Sequence, residues 1–147
     1  GDVVMAAADG FTGTALIGDN VVGMARNRKL AAIVSDGMSR DTAAIRKIGL
    51  PVFAAGVTPN SCVRNGPGTV GLPVIIGGVA VNPGDVVVGD RDGVVVVPRG
   101  QLGAVLAALE VIKASEAELQ GKVAAGLGVM PFMEELLASD RVRYVDD

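Results

Sequence analysis

Asp19, Arg40 and Asp41 are the residues whose types and spacing could do chemistry. Asp19 stands in a Gly18-Asp19-Asn20 turn, and twenty residues separate it from the Arg40-Asp41 pair. Paired carboxylates suit a hard divalent cation. Mg²⁺ takes one or two protein carboxylates, keeps several waters and shares its remaining positions with the ligand. Arginine adds a planar fork that matches a carboxylate or an enolate oxygen. The chain contains no histidine. A histidine base, a histidine metal ligand and a phosphohistidine are therefore excluded, and chemistry must run on carboxylates, an arginine, backbone amides and a borrowed metal ion. Each residue alone also has a plainer reading: Asp19 and Asp41 as helix caps, and Arg40 as a surface arginine.

Composition bounds the rest. Half of the 147 residues are apolar, but the aromatic ones are only three Phe and one Tyr. The core must therefore be built from Val, Ala, Ile and Leu. The 21 glycines point to many tight turns between short elements. A net charge of −3 leaves no basic footprint for nucleic acid. Cys62 is the one cysteine, so no disulfide framework or thiolate cluster can form, which fits a reducing, cytoplasmic setting. Apolar runs such as Val94 to Val97 are far too short to span a bilayer. Gly1 is not a start Met and a strand opens almost at once, so an N-terminal segment is expected ahead of it.

The elements that must position these residues can be read from pattern and punctuation. Asp2 to Ala8 is an apolar run closed by Asp9-Gly10 and predicts a strand. Phe11 to Gly18 reads as a loop. Asp19 or Asn20 can cap a helix to about Lys29, with Val21, Val22, Met24 and Ala25 inward. Ala31 to Ser35 predicts a buried strand. Ser39 or Asp41 can cap a helix over Thr42 to Ile48, stopped by Gly49. Pro51 to Ala55 predicts a third strand, and the alternation argues for a parallel α/β portion. Gly56 to Gly71 reads as a long loop. Short strands follow at Leu72 to Ile76, Val79 to Val81, Asp85 to Asp90 and Gly93 to Val97, with Asn82-Pro83-Gly84-Asp85 and Asp90-Arg91-Asp92-Gly93 as turns. A long helix is predicted from Arg99 to Ala124 on the spacing of Leu102, Val105, Leu106, Leu109, Ile112, Leu119 and Val123, then a short one from Pro131 to Ala138. Residues 1–138 read as one α/β domain and residues 139–147 as a charged tail. No internal repeat and no coiled-coil heptad is read.

The run from Gly18-Asp19 through Val34-Ser35-Asp36-Gly37-Met38-Ser39-Arg40-Asp41 resembles the family that joins 4-hydroxy-4-methyl-2-oxoglutarate aldolases to the regulator of ribonuclease activity A. Pro51 to Gly56, Pro73 to Gly78, Val81 to Asp85 and Asp90 to Val94 fit it too, so the resemblance covers roughly Gly1 to Leu127. It implies a three-layer β/β/α fold of the swivelling-domain type, a homo-oligomer (trimer or hexamer), and a site between subunits. By position, Asp41 would ligate Mg²⁺ or Mn²⁺, Asp19 would hold metal-bound waters, and the amides of Gly18, Asp19, Asn20 and Val21 would bind a pyruvyl carboxylate. Arg40 would contact the keto oxygen and stabilise an enolate. A glutamate of the neighbouring subunit would complete the metal's surroundings, with Glu116 the best match and Glu118 second. The family usually carries a sizeable segment ahead of the strand that opens this chain.

The activity implied is cleavage of a 4-hydroxy-2-oxo acid, such as 4-hydroxy-4-methyl-2-oxoglutarate or 4-carboxy-4-hydroxy-2-oxoadipate, to pyruvate, with oxaloacetate decarboxylation through the same enolate. The other class of function is a non-catalytic protein-binding regulator of ribonuclease activity. The complete Asp19…Arg40-Asp41 spacing favours the enzyme, because a binding surface has no need of it. Asp85, Asp90 and Asp92 are expected to be turn residues. Arg64 and Asn65, in the Gly-rich loop with Cys62, are weaker pocket candidates.

Overall fold

Residues 1–145 are described by the structure, a computed structural model. They divide into two units, Gly1–Leu102 and a second from Gly103 onward. Of the charged tail read at 139–147, Asp146 and Asp147 lie outside the described residues.

The first unit begins β1 (Val3–Ala6), β2 (Ala15–Ile17), α1 (Asp19–Asn27), β3 (Ala32–Ser35), β4 (Met38–Ser39), α2 (Thr42–Ile48), β5 (Val52–Phe53) and β6 (Gly56–Val57). Odd and even strands part company. β1, β3 and β5 form one parallel sheet in that order, and β2, β4 and β6 form a second. A strand–strand–helix motif thus occurs twice before a last pair of strands. Two sheets and a helical pair supply the β/β/α layering. The repeat is topological and escapes a search for similar residues.

Three strands correct the sequence-based expectations. β2 lies in the predicted Phe11–Gly18 loop, β6 opens the predicted Gly56–Gly71 loop, and β4 falls between elements. At two or three residues each, they are too short for an alternation to register. Only β2 shows one, with Ala15 and Ile17 buried and Leu16 exposed.

The core of this unit joins Ile17, Val22, Ala25, Ile33, Ile45 and Leu50, with Leu30, Ile48 and Val52 packed against it. Val22 is wholly buried, a contribution of about 1.5–3 kcal/mol. Val21 and Met24 do not face inward as expected; they are 44% and 61% exposed. On a helix turning 100° per residue, Val22 and Ala25 sit close in angle and define a stripe too narrow for their neighbours. The helix ends meet at Arg26, whose guanidinium donates to the Ile48 carbonyl. Gly49 closes α2 in the left-handed conformation, as its position predicted (φ 78°).

Two antiparallel hairpins follow, β7 (Val74–Ile76) with β8 (Val79–Val81) and β9 (Val86–Gly89) with β10 (Val94–Val97). A 3₁₀ turn at Arg99–Gln101 precedes α3 (Leu102–Ala124). The second unit holds most of α3 and α4 (Pro131–Leu137), which starts on its proline. The helix α3 falls within the Arg99 to Ala124 span that its apolar spacing predicted, and none of its residues is buried.

Candidate active site

Strand register brings the candidate residues together. In the second sheet Ile17 of β2 pairs with Ser39 of β4. The register shifts between Ala15 and Ile17, and beyond that pair Gly18 lies against Arg40 and the Asp19 amide against Asp41. The amide of Arg40 donates to the Ile17 carbonyl at 2.9 Å. The sequence spacing is therefore one repeat of the fold: β2 to β4 through α1 and β3.

Neither aspartate caps its helix through its side chain. Gly18 occupies the cap position of α1, and Asp19 is its first helical residue. Asp41 does occupy the cap position of α2, but in the left-handed conformation (φ 58°, ψ 35°), with no side-chain bond to that helix. This conformation is uncommon for a residue with a side chain, and aspartate is among those that tolerate it. It turns the carboxylate away from α2. Asp41 Oδ2 lies 3.3 Å from Arg40 Nε and accepts a long contact of 3.4 Å from the Asp19 amide. One carboxylate oxygen thus spans the start of α1 and the arginine.

Close approach explains Gly18. A Cβ there would stand 2.9 Å from both Arg40 Nε and Asp41 Oδ2, although the backbone is ordinary extended chain (φ −129°). Any side chain would push the ion pair aside. Ser39 is the residue that sequence reasoning undervalued. Considered only as a cap, it is buried in β4, and its hydroxyl reaches the carbonyls of Ile17 (3.3 Å) and Arg40 (3.4 Å). It ties the two strand ends from which the site projects. Recognising β4 was the only route to it.

The first-turn amides of α1 have no partner within the helix. Asp19 Oδ1 accepts from the Asn20 amide at 2.7 Å, and Asp41 takes the Asp19 amide. The Val21 amide has no protein partner among the described residues. The site is open: the Arg40 and Asp41 side chains are 29% and 40% exposed.

Other candidates fall away from this cluster. Asp36, in the Asp36-Gly37 turn, accepts from the amides of Ala8 (2.6 Å) and Gly10 (3.0 Å) and staples a loop. Asp90 accepts from the amides of Asp92 and Gly93, as expected of a turn residue. Asp85 accepts from the Asn82 amide (2.9 Å) and the Arg99 amide (3.0 Å). These bonds, Asn82 first, hold its carboxyl below the ordinary value of 3.8. Arg64 and Asn65 are exposed and make no hydrogen bond or ion pair with Asp19, Arg40 or Asp41 among the described residues. Glu116 and Glu118 lie on α3 in the second unit, where Glu118 pairs with Lys122 at 2.6 Å. That partner lowers the Glu118 carboxyl below its usual value.

The donor chemistry can be tested against a metal. Among the described residues no three of His, Cys, Asp and Glu converge as a cation site. Two carboxylates without nitrogen or sulfur donors fit Mg²⁺ or Mn²⁺, which accept few protein ligands and retain water, and do not fit a closed zinc site.

The sequence matches the RraA-like family (Aldolase/RraA) over residues 1–96. It is 42% identical over 101 residues to a Halalkalibacterium halodurans protein named "Putative 4-hydroxy-4-methyl-2-oxoglutarate aldolase", covering 69% of this chain and 48% of that one. A Bacillus cereus protein of the same name is 36% identical over 96 residues, covering 65% and 60%. The chain thus spans about half to three-fifths of the length of these curated relatives. Among solved structures, Streptomyces coelicolor RraAS2, titled an unusual member of the RNase ES inhibitor RraA protein family, superposes with a TM-score of 0.76 and 33% identity. That match covers 83% of this chain and 63% of that one. The RNA-processing inhibitor RraA from Thermus thermophilis gives a TM-score of 0.62 at 32% identity, covering 65% and 58%.

Proposed function

The chain belongs to the RraA-like family, and from that premise we propose that it is a divalent-metal-dependent lyase that cleaves a 4-hydroxy-2-oxo acid to pyruvate. The observation that carries this reading is Asp41. Its backbone adopts the left-handed conformation and its carboxylate gives up helix capping to face Arg40 and the start of α1. A helix cap or a plain binding surface would have no use for that arrangement.

Asp41, with Asp19 beside it, would hold Mg²⁺ or Mn²⁺. When bound, the cation supplies Lewis-acid polarisation of the substrate's keto oxygen. The residues of this chain do the remaining work. The free Val21 amide and the start of α1 bind the substrate carboxylate. A water held by Asp19 takes the C4 hydroxyl proton, C4 becomes a carbonyl, and the C3–C4 bond breaks with its electron pair passing into the enolate of pyruvate. Arg40 stands where it can donate to that oxygen as charge develops. Asp19, through ordered water, returns a proton to C3 and releases pyruvate. Oxaloacetate enters the same enolate by losing CO₂, so decarboxylation is a companion activity. Candidate substrates are 4-hydroxy-4-methyl-2-oxoglutarate and 4-carboxy-4-hydroxy-2-oxoadipate. We further propose a cytoplasmic homo-oligomer, a trimer or hexamer, in which a glutamate of α3 from a neighbouring subunit, Glu116 or Glu118, faces the site.

The test is pyruvate release from a panel of 4-hydroxy-2-oxo acids. Turnover is expected with Mg²⁺ or Mn²⁺, lost in excess EDTA and restored by either ion. Full turnover in EDTA, or none on any substrate, would overturn the proposal. A second reading, a protein-binding regulator of ribonuclease activity, rests on the titles of the Thermus and Streptomyces neighbours. It predicts inhibition of a ribonuclease that survives Asp41→Ala.

A further inference from the structure

Beside the proposed catalytic residues the first unit holds a cavity of about 250 Å³, whose walls include Ser39, Thr42, Arg46, Val52, Ala54 and Val57. Strand order fixes its place. β4 is the middle strand of the second sheet, with β2 on one side and β6 on the other. Ile17 and Val57 both pair with Ser39, one from each side. Gly18 and Asp19 follow β2, whereas the cavity takes residues from β6 and none from β2. Ser39 and Thr42 bracket Arg40 and Asp41 in the chain, so the cavity and the catalytic cluster share the end of β4. Thr42 and Arg46 stand four residues apart on α2 and share a face of it. Arg46 makes no ion pair among the described residues, and no acidic residue lines the cavity.

Resting on the lyase reading above, we infer that this cavity takes the far end of the substrate, and that Arg46 selects 4-hydroxy-2-oxo acids with a second carboxylate on C4. In that reading the C1 carboxylate lies at the start of α1, beside β2, and the keto oxygen lies at Arg40, beyond β4. A carbon chain held at those two points continues past β4 toward β6. Its C4 substituents therefore arrive at the cavity. The Arg46 guanidinium matches a carboxylate in shape as well as charge. Val52, Ala54 and Val57 offer an apolar wall to the methyl or methylene group beside it. An acid with a methyl group in place of that carboxylate leaves Arg46 unmatched. Arg40 and Asp41 cannot make this distinction, because they address the atoms common to all such acids.

Binding and turnover, measured on the full chain with Mg²⁺, test this separately. 2-Oxoglutarate and 2-oxopentanoate differ only in carrying a carboxylate or a methyl group on C4. Both lack the C4 hydroxyl, so neither can be cleaved. Calorimetry of the parent should find 2-oxoglutarate bound about tenfold more tightly. Arg46→Gln should level the two acids, and Arg46→Lys should keep part of the preference, since it retains the charge without the fork. The same split should appear in kcat/KM for pyruvate release from 4-hydroxy-4-methyl-2-oxoglutarate against 4-hydroxy-4-methyl-2-oxopentanoate. A preference is a difference between two affinities, so general damage to the fold cancels from it. A parent without the preference, a preference that survives Arg46→Gln, or failure of both acids to bind would overturn the subsite, and pyruvate release from the parent would still uphold the lyase reading. A preference that Arg46→Gln abolishes, with no pyruvate released from any acid, would uphold the subsite and overturn the lyase reading.

Discussion

Arg40 is where the proposed chemistry is most exposed to a single measurement. Its Nε stands 3.3 Å from Asp41 Oδ2, over the glycine that makes room for both. As donor to a developing enolate it acts in the chemical step. Removing such a donor costs about 10²–10³ in kcat. Arg40→Ala should show that loss in both the aldol cleavage and oxaloacetate decarboxylation. Arg40→Lys should recover little, because an ammonium keeps the charge and loses the fork. Steady-state kinetics of both reactions in both variants will check this. If kcat stays within about twofold, under roughly 0.5 kcal/mol of barrier is involved, and Arg40 is a surface arginine beside a turn.

At the scale of elements, the clearest dependence is on Asp85. Its carboxylate joins the turn before β9 to the amide that follows β10, so one charge closes the second hairpin at its open end. Its folded pKa is depressed, so its contribution is present above the unfolded value and fades as pH falls through the folded one. Asp85→Asn should therefore be less stable than the parent at neutral pH. The gap should close as pH drops below about 4, the ordinary range of a carboxylate. Chemical denaturation of both proteins across that range reads the effect. A gap independent of pH would mean that the loss is one of shape and not of charge. The pairing of β2 with β4 is the other decisive element, because Ser39 and Ile17 fix which residues emerge side by side.

For the whole molecule, the proposals meet in the assembly. Among the described residues two carboxylates, Asp19 and Asp41, gather at the site, and the glutamates proposed to join them lie on a different unit. If a neighbour completes each site, two inactive variants should rescue one another. Asp41→Ala chains and Glu116→Gln chains, unfolded together and refolded as a mixture, should regain about a quarter of parental activity, because random cyclic assembly gives that share of sites with both residues intact. Each variant refolded alone should stay inactive. Colorimetric pyruvate assays of the mixture and of the separate chains will decide. Absence of rescue with normal assembly would place every essential residue in one subunit.

The amino-acid sequence by itself determined the α/β class, the helices α1 and α2, the first-sheet strands and the late hairpins. These rest on local patterns long enough to read, such as Ala32 to Ser35 between two helices or Pro131 at the start of α4. It also determined which chemistries were closed, since a chain without histidine must use carboxylates and arginine. The spacing of Asp19 from Arg40-Asp41 could be seen as unusual, but its cause could not. That cause is the register of β2 on β4, set by pairing and by the Ser39 hydroxyl's bond to Ile17, between segments 22 residues apart and too short to carry a pattern. The same distance decided that Asp41 would abandon its helix, that Gly18 would serve by lacking a side chain, and that Ser39 would be buried. Spatial neighbours create those constraints, and a local reading of residue types contains no information about who the neighbours are.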